Sequence, residues 1–224
     1  MPSALQSNNA SNLSTAFQLL GLEDRERRIL ECAGANYHYD INCLQRWCTR
    51  CQVARAHRFK TRVVPQFTDE PLWMSSLVWR NVDQPRKTDL LKMRAAVKRL
   101  CKEVPIDEAS GVLGALDLSY HPSWPEPFFL CCHLLIQGDL AGIDPGDGHK
   151  DLGEQLRENW FQLGGLPDVF LREAEGRPQV LRYLEFLIRG MPASTPPSAA
   201  AQIIQAFDGV HSTFAMGSLR RKSS

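Results

Sequence analysis

The chain has 224 residues, 43% of them hydrophobic and 23% charged, which is enough to bury a core as one domain or as one domain with appendages. Its formal net charge of +1 gives no bulk attraction to a polyanion, so nucleic-acid binding would depend on local basic clusters. The sequence shows no apolar run of membrane-spanning length and no signal-peptide pattern, which predicts a cytoplasmic protein without a membrane partner.

The amino-terminal region is predicted to be a loose tail followed by a cysteine- and arginine-rich segment. Residues 1–15 are rich in Ser, Asn and Ala, a composition that orders poorly. Residues 25–32 then form a short helical run in which charges dominate. We therefore divide this part of the chain into a disordered tail at 1–15 and a cysteine/arginine-rich segment at 16–66.

Four of the seven cysteines lie in this segment, which favours metal ligands or buried thiols over a disulfide framework. Cys48 and Cys51 form a C-x2-C pair, a tight turn that can present two thiolates to one ion. Two more thiolates from the preceding residues would complete a tetrahedron, and four thiolates suit zinc best. The predicted structural zinc ligands are Cys32, Cys43, Cys48 and Cys51.

A dense basic cluster overlaps the C-x2-C pair, and the span from Asn42 to Gln66 contains no Asp or Glu. Such a cluster can bind the phosphates of a nucleic acid. The alternative is a zinc-stapled loop whose arginines are simply solvated. The candidate DNA-binding residues are Arg46, Arg50, Arg55 and Arg58.

The middle of the chain is predicted to form strands around an amphipathic helix. Residues 71–80 are aromatic and aliphatic without a helical period, which indicates a strand. A helix follows over 88–102, with Thr88 as its N-cap. Residues 111–120 and 128–136 are two further strands, and the short loop between them predicts antiparallel neighbours.

The apolar run at 128–136 is typical of a central strand that is buried on both faces. Because side chains alternate along a strand, Cys131 and His133 share one face and are within reach of one ion. Antiparallel pairing would bring Asp117 beside His133. The alternative is a buried strand with a hydrogen-bonded core histidine and an Asp117 that faces water at a sheet edge.

The carboxyl-terminal third is predicted to be mostly helical. The helix predicted at 179–190 carries an apolar stripe with Tyr183 on its edge and ends at Gly190 as a C-cap. These predictions place a catalytic-type domain at 67–190 and a linker with a C-terminal segment at 191–224. The predicted elements are helices at 152–160, 179–190 and 199–207, a linker at 191–198 and a final strand at 209–217.

The order of these features resembles that of rolling-circle plasmid replication initiators, which are HUH-type relaxase-like endonucleases. The resemblance covers roughly residues 27–222, including a closing segment at 204–220 that is similar to the family's. It is carried by the cysteine-rich arginine segment, the strand Gly114–Tyr120, the Cys131-Cys132-His133-Leu134-Leu135 sequence and a helix that bears Tyr183.

The resemblance implies an α+β fold with a central antiparallel sheet and flanking helices, preceded by the cysteine-rich segment. It implies initiation of plasmid rolling-circle replication on single-stranded or supercoiled origin DNA, with host replication proteins as further partners. Residue by residue, it implies that Tyr183 attacks the scissile phosphate and forms a phosphotyrosine intermediate. Asp117, Cys131 and His133 would then hold a catalytic Mg²⁺ or Mn²⁺.

The chain departs from the family pattern at several positions. Cys131 stands where the family has the first histidine of an H-x-H pair, and a thiolate suits zinc better than magnesium or manganese. Ser75 and Ser76 stand where threonines are usual, and no lysine follows Tyr183 at the expected place. Two alternatives therefore remain: a zinc-stabilised nucleic-acid-binding relative that has lost nicking activity, and a zinc-stabilised interaction domain with no DNA role.

Overall fold

The computed structural model describes residues 4–34, 47–104, 111–138, 152–192, 194–217 and 219. Within these residues the chain forms an antiparallel sheet with helices on both faces, which confirms the predicted α+β class with a cysteine-rich region before the sheet. The helices are α1 (Ala4–Leu19), α2 (Glu23–Gly34), α3 (Thr49–Val63), α4 (Lys87–Glu103), α5 (Leu152–Gln162), α6 (Arg177–Leu187) and α7 (Pro197–Ala206), with a 3₁₀ turn at Val64–Gln66. The strands are β1 (Leu72–Val82), β2 (Gly111–Tyr120), β3 (Phe128–Gln137), β4 (Val169–Glu173) and β5 (Thr213–Gly217).

Strand β3 lies at the centre of the five-stranded sheet, whose order is β4-β1-β3-β2-β5. All four pairings are antiparallel. In the β2–β3 pairing Asp117 lies opposite Cys131, and Ala115 lies opposite His133. The predicted antiparallel neighbours are therefore confirmed, and Asp117 is diagonal to His133 across the pair.

The two faces of β3 pack against different groups of helices, as the alternation of its side chains predicts. Leu130, Cys132 and Leu134 belong to the larger core, which also contains residues of α1, α4, α5 and α7. On the opposite face, Leu135 packs in a second core with residues of α3 and α6. Cys131 and His133 point to this second face, which we call the α6 face.

Phe214 of the edge strand β5 lies directly over Gly114 in β2. A Cβ atom at residue 114 would lie 2.2 Å from the Cζ atom of the Phe214 ring. The glycine thus leaves the space that the Phe214 ring fills on the larger-core side of the sheet.

The prediction of a disordered tail at 1–15 is wrong for the described residues from Ala4 onward, because α1 spans Ala4–Leu19. Leu13, Ala16 and Phe17 are spaced as one helix face and are buried in the larger core. Asn9 and Asn12 donate side-chain hydrogen bonds to the carbonyls of residues 191 and 195, at 3.3 and 3.1 Å. Tertiary packing thus stabilises a helix in a segment whose composition favours a helix only weakly.

Helix α4 starts one residue before the predicted N-cap. Lys87 is its first residue and Arg86 is the N-cap, so the prediction of Thr88 as N-cap is wrong. The Asp89 carboxylate accepts a hydrogen bond from the Arg86 backbone N–H at 3.2 Å, which stabilises this end of the helix.

Three predictions in the carboxyl-terminal third need correction. Strand β4 was not predicted, and it forms one edge of the sheet beside β1. Helix α6 ends at Leu187 with Ile188 as its C-cap, so Gly190 does not cap it. The predicted linker is shorter than expected, because α7 begins at Pro197.

Among the described residues, no helix has both the length and the apolar character needed to cross a membrane.

Candidate functional site

Asp117, Cys131 and His133 meet on the α6 face of the sheet, and we call these three residues the sheet site. One potential ligand atom from each of them lies within 4.8 Å of the other two. Asp117 comes from β2, whereas Cys131 and His133 come from alternate positions of β3. The strand pairing alone therefore brings together the acid, the thiol and the imidazole that the sequence predicted as ligands.

The distances within the sheet site are short and similar. His133 Nε2 lies 3.4 Å from Cys131 Sγ and 3.6 Å from Asp117 Oδ2. The third separation, between Cys131 Sγ and Asp117 Oδ2, is 4.0 Å. Cys131 and His133 are buried and Asp117 is partly buried, so the three groups interact with little screening by water.

The orientation of the His133 ring is set by Ser76 on β1 and Phe186 on α6. His133 Nδ1 and Ser76 Oγ are 2.8 Å apart, and these two residues are directly paired in the sheet. The Phe186 ring contacts the imidazole edge-on, with 4.5 Å between ring centroids. The serine engages one ring nitrogen, which leaves Nε2 directed at the thiol and the carboxylate.

Arg189, two residues beyond the end of α6, forms an ion pair with Asp117. Its Nη2 donates to Asp117 Oδ2 at 2.5 Å. Burial would raise the pKa of Asp117, but the nearby His133 imidazole and the positive charge of Arg189 outweigh that effect and lower the pKa to about 2. Asp117 is therefore a carboxylate near neutral pH. Its side chain is only 19% exposed and is paired with Arg189, and β2 is not an edge strand, so the alternative in which Asp117 faces water at a sheet edge is wrong.

Cys131 is a buried thiol in this arrangement. Burial and the neighbouring charge of Asp117 raise the pKa of Cys131 well above the usual value for cysteine, and Arg189 offsets this only in part. Near neutral pH the sheet site therefore contains a neutral thiol beside a carboxylate.

Tyr183 lies on α6 and points toward the sheet. Its hydroxyl donates a hydrogen bond to the backbone carbonyl of Ser75 at 2.7 Å, and its ring stacks on Phe186 with 5.8 Å between centroids. Burial raises the pKa of Tyr183 well above its usual value. Phe186 thus contacts both Tyr183 and His133, and the structure places the predicted nucleophile on the helix that covers the sheet site.

The donor set of the sheet site does not fit the catalytic Mg²⁺ or Mn²⁺ that the resemblance implies. Those ions prefer oxygen ligands in octahedral geometry, whereas the site offers one carboxylate, one imidazole and one protonated thiol. The carboxylate oxygen nearest the other two donors is already paired with Arg189. The separations of 3.4 to 4.0 Å are compatible with a tetrahedral zinc ion, but zinc binding would require Cys131 to lose its proton.

Cys32, Cys48 and Cys51 form a second group, which we call the thiol cluster. Cys32 Sγ lies 3.5 Å from Cys51 Sγ and 3.8 Å from Cys48 Sγ, and all three residues are buried. Cys48 is the N-cap of α3, so the helix start sets the C-x2-C geometry. The cluster can hold a metal ion such as zinc. The fourth predicted ligand, Cys43, lies outside the described residues.

The candidate DNA-binding arginines belong mostly to α3, which packs beside α6. Ala56 and Val63 of α3 share the second core with residues of α6, and Lys60 forms a 2.5 Å ion pair with Glu185. Arg58 is exposed and Arg55 is half-buried on this helix. Arg46 and the side chain of Arg50 lie outside the described residues. The described part of the predicted basic cluster thus lies on a helix on the same side of the sheet as the sheet site.

Sequence reasoning missed three residues that shape the sheet site, namely Ser76 as a partner of His133, Phe186 and Arg189. Ser76 lies directly opposite His133 in the sheet, so a correct strand register would have identified it. Phe186 and Arg189 gave no such signal, because the sequence does not show how their helix crosses the sheet.

Comparisons with family models, curated proteins and solved structures gave no match.

Proposed function

We propose that this chain is a DNA-binding protein of the kind that initiates rolling-circle plasmid replication, with Tyr183 as the nucleophile. One observation carries the proposal. Asp117, Cys131 and His133, which correspond to the family's ligand positions, converge on the sheet face that is covered by the helix bearing Tyr183. This arrangement is the one that the resemblance implies, and it therefore supports the proposal.

The proposed reaction transfers a phosphoryl group from DNA to tyrosine. The Tyr183 oxygen attacks the scissile phosphorus, the bond from phosphorus to the 3′ oxygen breaks, and the leaving oxygen gains a proton equivalent to the one that Tyr183 loses. The products are a 5′-phosphotyrosine and a free 3′-hydroxyl. Before attack, the Tyr183 hydroxyl must leave its bond to the Ser75 carbonyl, because a carbonyl oxygen cannot take up the proton.

The basic helix α3 supplies a surface for the DNA backbone beside the proposed reaction centre. His57, Arg58 and Arg62 are exposed on this helix, and its neighbour α6 carries Tyr183. Because the net charge of the chain is only +1, phosphate contacts from this one surface would account for the affinity. Binding of single-stranded DNA should accordingly weaken steeply as salt is raised.

A second candidate function is binding of the same DNA without nicking. The protonated Cys131 thiol in the place of a histidine favours it, as does the bond that holds Tyr183 on a backbone carbonyl. In this case α3 and the sheet would bind DNA, and Tyr183 would serve only in packing.

One experiment tests both candidates. The purified protein is incubated with supercoiled and single-stranded origin DNA, with manganese or with EDTA, and a denaturing gel detects a covalent protein–oligonucleotide adduct. An adduct that is lost in Tyr183→Phe and kept in the control Tyr120→Phe supports nicking. DNA binding without an adduct, followed by adduct formation in Cys131→His, supports the non-catalytic relative. Absence of salt-dependent DNA binding would contradict both functions.

A further inference from the structure

We propose that Arg189 supplies the positive charge of the sheet site in place of a divalent cation and binds a DNA phosphate there without metal. The phosphate half of this inference rests on the proposed function. The other half, exclusion of a divalent cation by Arg189, rests only on the geometry of the sheet site.

Arg189 is already bonded to Asp117 Oδ2, the oxygen that a cation would need as a ligand. Its Nη2 lies 2.5 Å from Asp117 Oδ2. The same oxygen is 3.6 Å from His133 Nε2 and 4.0 Å from Cys131 Sγ, so it is the carboxylate oxygen that would complete a three-ligand set. A cation bound among these donors would compete with the Arg189 guanidinium for this oxygen. The two positive charges would also repel each other.

The backbone and the Phe186 ring hold Arg189 in this place. The guanidinium carbon lies 4.3 Å from the centre of the Phe186 ring, in a cation–π contact. The next residue, Gly190, passes so close to the α3 region that a Cβ there would lie 3.0 Å from Gln52 Oε1 and 3.2 Å from the Trp47 carbonyl oxygen. The ring contact positions the guanidinium, and the close packing at Gly190 leaves the backbone after Arg189 little room to move.

Arg189 has donors left for a second acceptor. An arginine carries five N–H donors in a planar fork that matches phosphate geometry. The Arg189 side chain is 40% exposed, compared with 19% for Asp117, so the arginine is the more accessible partner of this ion pair. A phosphate that approaches there meets a positive charge just beyond the end of the helix that presents Tyr183.

The cation half is tested by titration with Mn²⁺, monitored by electron paramagnetic resonance of the free ion. Mn²⁺ is a hard ion that the thiol cluster does not favour. We expect Cys131→His to bind Mn²⁺ weakly, and Cys131→His combined with Arg189→Gln to bind at least about tenfold more tightly. Cys131→His combined with Arg182→Gln, which alters an exposed arginine of α6, is the matched control. Equal affinity in the single and the Arg189 double variant would overturn the exclusion.

The phosphate half is tested by fluorescence anisotropy with a labelled oligothymidylate in EDTA. We expect the unmodified protein to bind equally well in EDTA and in Mn²⁺, and Arg189→Gln to weaken binding about tenfold, as loss of a charge-assisted hydrogen bond predicts. Arg182→Gln should change it less than about twofold. Binding that requires Mn²⁺, or that is unchanged in Arg189→Gln, would overturn this half. If no oligothymidylate binds at all, both the phosphate half and the proposed function fail. The Mn²⁺ titration still decides the cation half.

Discussion

Replacement of Asp117 by Asn should destabilise the protein near neutral pH and have a much smaller effect in acid. The pKa of Asp117 is lowered from 3.8 to about 2 in the folded protein. A difference of one pKa unit corresponds to about 1.4 kcal/mol, so ionisation of Asp117 contributes about 2 kcal/mol to the free energy of unfolding. The side chain is only 19% exposed, so solvent screening reduces this figure little.

The sign follows from the direction of the shift. Because the folded pKa lies below the unfolded one, the contribution is fully present above about pH 5 and is lost as the pH falls from 3.8 toward 2. Asp117→Asn should therefore be less stable than the unmodified protein by about 2 kcal/mol at pH 7, with the difference shrinking below pH 4.

Urea unfolding at a series of pH values from 7 to 3 measures this difference directly. Asp83→Asn, which removes an exposed carboxylate in the loop after β1, controls for the loss of one negative charge. A stability difference for Asp117→Asn that is the same at pH 7 and pH 3 would refute the reasoning. It would show that the ion pair with Arg189 does not favour the ionised carboxylate in the folded state.

Three further predictions concern the core and the thiol cluster. Gly114→Ala should lower the free energy of unfolding by about 1–3 kcal/mol in urea titrations, because its Cβ would meet the Phe214 ring, and an unchanged midpoint would contradict this packing. Leu130→Ala, fully buried on the central strand, should cost about 2–5 kcal/mol in the same assay. The purified protein should contain zinc by elemental analysis; Cys32→Ser should lose it and the control Cys101→Ser should keep it, whereas zinc retained in Cys32→Ser would place the ion elsewhere.

The central strands were predictable from sequence because their signal is local. The apolar run determines the length of β3 and the faces on which its side chains lie, and the short loop after β2 determines that the two strands pair. Together these features place Asp117 near His133. Strand β4 was missed because it is a five-residue edge strand, and its pattern of exposure is weak. Helix α1 was missed because a Ser- and Asn-rich composition hides the spacing of Leu13, Ala16 and Phe17.

The role of Arg189 was out of reach for a different reason. Its contact with Asp117 depends on where α6 ends and on how that helix crosses the sheet, and neither is encoded in the hydrophobic period. The hydrogen bond from Tyr183 to the Ser75 carbonyl also depends on packing, since a backbone acceptor leaves no mark in the sequence.

The contact between α1 and α7 has a consequence for how the protein is made. Asn9 of α1 bonds to Met191, which shortly precedes α7, and these two residues are separated by 182 positions in the chain. At about 5–20 residues per second, a ribosome needs about 10–35 s between synthesis of the one and of the other. Until then, the side of α1 that packs against α7 lacks this partner, and a chain truncated before Pro197 would lack it permanently.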